Sequence, residues 1–411
     1  MLFLLSAHNV IHYLQKAKIC QMEEINILAH DLTNTGENNK FLVTFSTGEQ
    51  LLIKQKKYNI DDNNTQDFFN EWLVYQLVQK FPVLANLKVI ALLATYFDQE
   101  NSILVRNYLS DYLELGNFYQ QQDIYPESIA AAIGNGIAVI HQSTLEFREY
   151  RDFMANAPQG QYRYQFHNPA QGIGIMGTEI LSYIPDDAIN FYTVYQSQES
   201  ITAAIADLAY NWHPCCLTHN GLRLENIIVH SRWQQSDDSL IKFIDWKAAS
   251  WGDPVVDIGC LIASYLNIWL QSLITDNSLE IEESLALALI PLELIKPSII
   301  ALIKAYLKQF PAIINYRHDF IYRAIQFSGL VLINRMQEKI FTHKYCSSQN
   351  MCALKIANNL LSMPQNSIQT ILGVEISELI PDIETPQNIP YAHKGRNLLR
   401  IYHPTAKLKG C

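Results

Sequence analysis

Residues 217–260, reading LTHNGLRLENIIVHSRWQQSDDSLIKFIDWKAASWGDPVVDIGC, constrain this chain more than any other stretch. Two strand-like runs, 227–229 and 240–244, flank a polar, turn-rich segment at 231–239, a pattern that predicts an antiparallel hairpin. In such a hairpin the residue before the first strand and the residue after the second lie side by side, within about 5 Å. Those residues are Asn226 and Asp245. An amide oxygen and a carboxylate converging on one spot suit a hard cation such as Mg²⁺, which takes a few protein oxygens and leaves its other positions to water and phosphate.

The same stretch resembles the catalytic core of the aminoglycoside phosphotransferase and choline kinase group, relatives of protein kinases. In that group the loop runs His-Gly-Asp-Leu-x-x-x-Asn and is followed by Ile-Asp-Trp and Gly-Asp-Pro-x-x-Asp. His219, Leu222, Asn226, Asp245, Trp246, Gly252, Asp253, Pro254 and Asp257 all fall at this spacing. One position departs from it: the aspartate expected five residues before Asn226 is Gly221, and Asn220 stands where glycine is usual. The resemblance implies an α+β, bilobal, protein-kinase-like fold with a small antiparallel β-sheet lobe and a larger, mainly helical lobe. It implies Mg²⁺ and ATP as cofactors, Asn226 and Asp245 as metal ligands, and Asp245 as the bridge from metal to phosphates. It makes Gly221 the degenerate site of the catalytic base and Asp257 the brace of the loop. His219 would shape the loop through the backbone, and Arg223 is either a cation facing phosphate or a surface arginine.

Ahead of this core the chain reads as a short helix at 7–20, strands at 25–28, 41–45 and 51–55, and a turn at 46–48. Lys54 ends an otherwise apolar strand, and a helix at 68–81 follows, with Phe69, Trp72, Leu73 and Leu77 toward the sheet and Glu71 near its start. In kinases a strand lysine holds the α- and β-phosphates and is oriented by a helix glutamate. Resemblance gives those roles to Lys54 and Glu71. The polar loop at 34–39, with Gly36, occupies the place of the phosphate-covering loop. Strands at 89–96 and 102–108 complete the sheet, and 109–112 is the hinge against which an adenine ring would lie. The domains are therefore 1–108, a nucleotide-binding lobe, 109–365, the helical lobe carrying the loop and the substrate region, and 366–411, a tail.

In the second lobe Ile129, Ile133, Ile137 and Ile140 define the buried face of a helix at 127–141, which His141 ends as a cap. Residues 152–170 read as an aromatic-rich loop, and helices follow at 177–183 and 199–212. The run 254–270 is a strongly apolar helix with Asp253 as N-cap and Pro254 at the first helical position. Further helices are expected at 279–290, 297–310, 317–340 and 351–361, with a less periodic tail from Pro364.

With 30 basic against 40 acidic residues in 411, the chain lacks the basic footprint of a nucleic-acid binder. Seven scattered cysteines suggest neither a zinc site nor a redox motif, and reduced thiols in a cytoplasmic protein are expected. The apolar start, 1–5, is too short for a secretory core or a membrane span, so no membrane partner is expected.

The gap at Gly221 decides what the chemistry can be. A positioned general base contributes typically about 10²–10⁴-fold, and the rest of phosphoryl transfer is positioning and electrostatics. Three outcomes stay open: a slow kinase, a kinase whose base comes from elsewhere or from the substrate, and a pseudokinase that acts through binding. The acceptor is a hydroxyl on a small molecule or a peptide. A subgroup of this family acts on ribosomally made peptides, phosphorylating Ser or Thr ahead of elimination by a lyase partner. The runs 244–246, 251–254 and 257–259, with Ser264, Tyr265, Leu266 and Trp269, resemble that subgroup, as do 41–43 and 52–55.

Overall fold

The computed structural model describes residues 3–20, 27–32, 38–57, 66–157, 166–171, 185–235, 240–276 and 279–380. Alternating apolar residues in the first third produce a five-stranded antiparallel sheet of β1 (Leu28–Asp31), β2 (Asn38–Thr44), β3 (Gln50–Lys56), β4 (Ala94–Asp98) and β5 (Ile103–Asn107), in the order β1-β2-β3-β5-β4. One face buries Phe41, Val43, Ile53, Ile103 and Val105 against Val10, Tyr13 and Leu14 of helix α1 (Val10–Lys16). Gln55 on that face is fully buried. Its Oε1 accepts from the Leu5 backbone and its Nε2 donates to Phe3 O, which ties the N-terminal segment across the sheet. Because strand side chains alternate, the other face carries Leu52, Lys54, Leu104 and Arg106, with Lys54 opposite Leu104 and Leu52 opposite Arg106.

Helix α2 (Gln66–Lys80) follows, as the spacing predicts, but its contacts divide. Phe69 and Trp72 pack on Phe97 of β4, whereas Leu73 and Leu77 turn to the core of the larger lobe, with Ala91, Phe243 and Trp246. The strand expected at 89–96 is a short helix, α3 (Leu87–Ile90), and β4 begins only at Ala94. Val89 and Ile90 favour a strand by propensity, but the residues just after them are captured elsewhere: Leu92 N donates to Phe243 O at 2.9 Å. Such tertiary pairing overrides a weak local preference. The expected strand at 25–28 lies partly outside the described residues, and so do most of the loop at 34–39 and the helix at 177–183.

The second lobe begins with β6 (Tyr112–Glu114), α4 (Leu115–Gln122), α5 (Glu127–Thr144) and α6 (Arg148–Met154). After them come α7 (Ile189–Ser197), α8 (Glu199–Tyr210), β7 (Cys216–Thr218), β8 (Ile227–His230), β9 (Ile241–Phe243), β10 (Ser250–Gly252) and α9 (Pro254–Gln271). It ends in α10 (Ile281–Ala286), α11 (Leu292–Gln309), α12 (Ala312–Tyr316), α13 (Phe320–His343) and α14 (Ser348–Ser362), after which residues 364–380 pack Ile368, Leu372 and Leu379 into the same core. The expected hairpin is present: β8 pairs antiparallel with β9, and β6 adds a third strand.

α5 runs one turn beyond the expected end, so His141 is interior and fully buried rather than a cap. α11 starts five residues before Pro297, which sits inside it. The proline removes the N–H that would bond the Glu293 carbonyl, and both residues lie on the exposed side, where water can serve that oxygen.

Close helix approaches set the packing of this lobe. A Cβ on Gly134 would fall 2.2 Å from Leu302 O, and one on Gly259 would fall 2.6 Å from Phe327 Cβ. Gly134→Ala and Gly259→Ala are each expected to lower stability by about 1–3 kcal/mol in urea unfolding. Gly116→Ala, in α4 with ordinary contact distances around its Cβ, is expected to gain about 0.5–1 kcal/mol.

Candidate active site

The loop between β7 and β8 is held from beneath by the first turn of α9. Asp253 caps that helix, accepting from Val255 N at 3.2 Å, and its other oxygen takes His213 N and the Arg317 guanidinium. Burial pushes the Asp253 carboxyl up, with Arg317 opposing. One turn on, the fully buried Asp257 carboxylate accepts from His219 N and Asn220 N, each at 2.7 Å, and from His141 Nε2 at 3.1 Å. His141 Nδ1 pairs with the Tyr306 hydroxyl at 3.0 Å, so α5, α9, α11 and the loop meet at one carboxylate.

Above the loop the two lobes meet through charge. Lys54 Nζ donates to Asp245 Oδ1 at 2.9 Å and lies 3.8 Å from Glu71 Oε2. Glu71 is fully buried and neither of its carboxylate oxygens has a hydrogen-bond partner among the described residues. Burial pushes its pKa up against the pull of Lys54. The next residue back, Asn70, donates to Lys247 O at 3.0 Å and docks α2 on the segment that follows Asp245. Burial also works against the Asp245 carboxylate, but Lys54, Lys247 and Arg106 hold it well below the usual carboxylate range. A depressed carboxyl gives stability that is present above its ordinary pKa of about 3.9 and lost as pH falls through the folded value. Asp245 is therefore ionised wherever the protein is folded near neutrality, as a metal ligand must be.

Asn226 and Asp245 stand at the open end of the hairpin, where Ile244 N donates to Asn226 O at 2.9 Å. Asn226 Nδ2 donates to Gly221 O at 2.7 Å, which leaves its side-chain oxygen for a cation. Asp245 has φ 64° and ψ 60°, a left-handed conformation that aspartate tolerates better than most residues. Among the described residues no group of three or more His, Cys, Asp and Glu side chains could hold a metal by itself. Two protein oxygens beside a lysine fit a cation whose remaining ligands are phosphate and water.

Position 221, where the resemblance leads one to expect an aspartate, is a glycine and carries no carboxylate. A Cβ on Gly221 would find Ala248 Cβ at 3.6 Å, His219 Nδ1 at 3.7 Å and Asn226 Nδ2 at 3.9 Å, all ordinary contacts, so neither space nor backbone requires glycine here. Asn220 has the left-handed φ of 56° that suits glycine, and its amide is taken by Ser250 Oγ at 2.8 Å, away from the gap. His219 Nε2 lies 3.0 Å from Ile244 O. A carbonyl only accepts, so Nε2 carries the proton and Nδ1 keeps a lone pair. That Nδ1 is buried and has no hydrogen-bond partner among the described residues. Arg223 forms an exposed ion pair with Glu338 at 2.9 Å, which is the surface alternative.

The structure thus brings Lys54, Glu71, Asn226 and Asp245 together, sets His219 beneath the loop, and turns Arg223 outward. It adds two features that no motif signalled. Arg106 of β5 is buried on the sheet face that carries Lys54. Beside the loop a cavity of about 370 Å³ is lined by Glu114, Tyr119, Leu224, Glu225 and Arg335. Burial, then repulsion from Glu225, pushes the Glu114 carboxyl up. Charged residues scattered over four elements carry no local signature, so only the fold could have found them.

Replacing Asp257 by alanine would leave the His219 and Asn220 N–H groups without their acceptor. Hydrogen bonds to charged groups are worth about 1.5–3 kcal/mol each, so Asp257→Ala is expected to lose at least about 3 kcal/mol in denaturant unfolding. A loss below about 1 kcal/mol would mean that the loop is not held this way.

Residues 33–277 match the phosphotransferase enzyme family. No curated protein matches the chain. Among solved structures, a choline kinase from Streptococcus pneumoniae is 14% identical, with a TM-score of 0.46 over 86% of this chain and 99% of its own. An ADP-bound aminoglycoside phosphotransferase is 12% identical, with a TM-score of 0.45 over 87% and 99%. An amicoumacin kinase in complex with AMP-PNP and Ca²⁺ is 12% identical, with a TM-score of 0.48 over 85% and 92%. The match to the family spans more than half of the sequence: the chain belongs to the phosphotransferase enzyme family.

Proposed function

We propose that this protein binds Mg-ATP between its lobes and transfers the γ-phosphoryl slowly to a substrate hydroxyl. The observation that carries the reading is the Glu71–Lys54–Asp245 cluster, with Asn226 beside it. Lys54 would hold phosphate oxygens while Glu71 keeps it in place, and Asn226 and Asp245 would hold the cation. The metal, when bound, neutralises charge on the transferring phosphoryl group. The rest of the rate would come from positioning the acceptor in line, without a carboxylate to take its proton.

For the acceptor we propose a Ser or Thr hydroxyl of a ribosomally made precursor peptide, with a lyase as the partner that eliminates the phosphate. This rests only on sequence, on the runs around Asp245 and Asp257 together with 41–43 and 52–55. A second reading, a pseudokinase that binds nucleotide or peptide and supports a partner enzyme, is favoured by the surroundings of Gly221. Its three nearest side-chain atoms are an alanine methyl, a closed-off imidazole nitrogen and an amide nitrogen already donating, and none of them is a base for a hydroxyl.

Mg-ATP is expected to raise the melting temperature, and Asp245→Ala to abolish the shift. A wild-type protein whose melting temperature ignores millimolar Mg-ATP would sink the nucleotide reading. Gly221→Asp separates the two functional readings, because the site has room for the Cβ. ATP turnover measured with the precursor peptide, or as hydrolysis, is expected to rise by up to about 10²–10⁴-fold. Equal and high turnover before and after the substitution would place the base elsewhere. Turnover that stays at background in both would favour the pseudokinase.

A further inference from the structure

Arg106 is the charged residue of the cleft that the reading above leaves without a task. It lies opposite Leu52 and diagonal to Lys54, a separation of about 7–8 Å between the backbones of such neighbours. Its side chain therefore stands on the same face as Lys54, and it is only 8% exposed. Its Nε has no hydrogen-bond partner, and no ion pair reaches its guanidinium among the described residues.

Burial pushes its pKa down, and the carboxylates of Glu71 and Asp245 partly offset that push. Both are committed to Lys54, which donates to Asp245 and sits 3.8 Å from Glu71. Lys54, Arg106, Glu71 and Asp245 thus share the cleft with one hydrogen bond among the four, and Lys247 adds its charge beside Asp245. A buried guanidinium nitrogen without a partner is costly, and the five donors of the planar fork match phosphate oxygens well.

We infer that Arg106 is a second phosphate-holding cation, acting beside Lys54 on the polyphosphate of a bound nucleotide. The inference rests on the nucleotide-binding reading and adds to it a ligand-contacting residue. Two other roles would give different results. An arginine that only neutralised Glu71 would support the fold in the absence of ligand, and one that read the nucleobase edge would distinguish ATP from GTP.

The test is Arg106→Met in the full chain, compared with wild type by calorimetric titration of ATP, GTP, ADP and adenosine with Mg²⁺, and by melting without ligand. The expected result is a fall in ATP and GTP affinity of about 10–100-fold, a smaller fall for ADP and none for adenosine. The ligand-free melting temperature should be equal or higher, since an unpaired buried charge has been removed. Arg106→Lys should recover part of the affinity, as an ammonium donates without the fork.

Unchanged ATP affinity in Arg106→Met would overturn the inference while leaving nucleotide binding intact. A loss confined to one base, or equal for adenosine and ATP, would overturn it in favour of base recognition. A lower ligand-free melting temperature with normal affinity would make Arg106 a structural partner of Glu71. A wild type that binds none of these nucleotides sinks both this inference and the reading beneath it.

Discussion

The Asp257 carboxylate is the interaction on which the rest of the site depends. It accepts two backbone N–H groups of the loop and one imidazole nitrogen of α5, and that imidazole reaches α11 through Tyr306. A carboxylate buried among three donors is a strong acceptor because little water competes for its lone pairs. It fixes where His219 and Asn220 lie, and through the short loop it fixes where Asn226 enters β8. The neighbouring Asp253 anchors the start of α9 in the same way, through its cap and Arg317. Two carboxylates one helical turn apart thus convert a stable helical core into a fixed platform for a polar loop.

On that platform the two halves of the candidate site are unequal. The half facing the small lobe is dense with charge: Lys54 lies against Glu71 and Asp245, and Arg106 is buried on the sheet face that carries Lys54. The half around Gly221 is bare of charge, with an alanine methyl, a buried imidazole nitrogen and an amide nitrogen nearest to it. Glycine at 221 is not imposed by backbone conformation, since the left-handed residue of the turn is Asn220. Lys54, Asn226 and Asp245 stand together on one side of the loop, and no carboxylate stands at position 221 on the other.

Much of this was legible in the sequence because it is local. The 227–229 and 240–244 runs gave a hairpin, a hairpin puts its end residues together, and Asn226 and Asp245 meet there for that reason. Lys54 and Glu71 could be paired in advance because a strand lysine and a helix glutamate at that spacing match a known arrangement. Less legible were Val89 and Ile90, whose strand propensity lost to a backbone bond with β9, and Leu73 and Leu77, whose helical phase could not say which core they would enter. His141 read as a helix end because nothing nearby in sequence could reveal a carboxylate 116 residues away.

The sequence by itself therefore determined the family, the bilobal α+β architecture, the meeting of Asn226 and Asp245 at one hairpin end and the glycine at 221, all properties of short segments with fixed geometry. Only the tertiary structure decided that Arg223 faces Glu338 at the surface and that His219 Nδ1 is sealed. It alone placed Arg106 on the face of Lys54, with its Nε unpartnered among the described residues. The physical reason is one of range. Periodicity and turn chemistry act over a few residues, whereas the environment of a charge is set by whatever the fold brings within several ångströms of it.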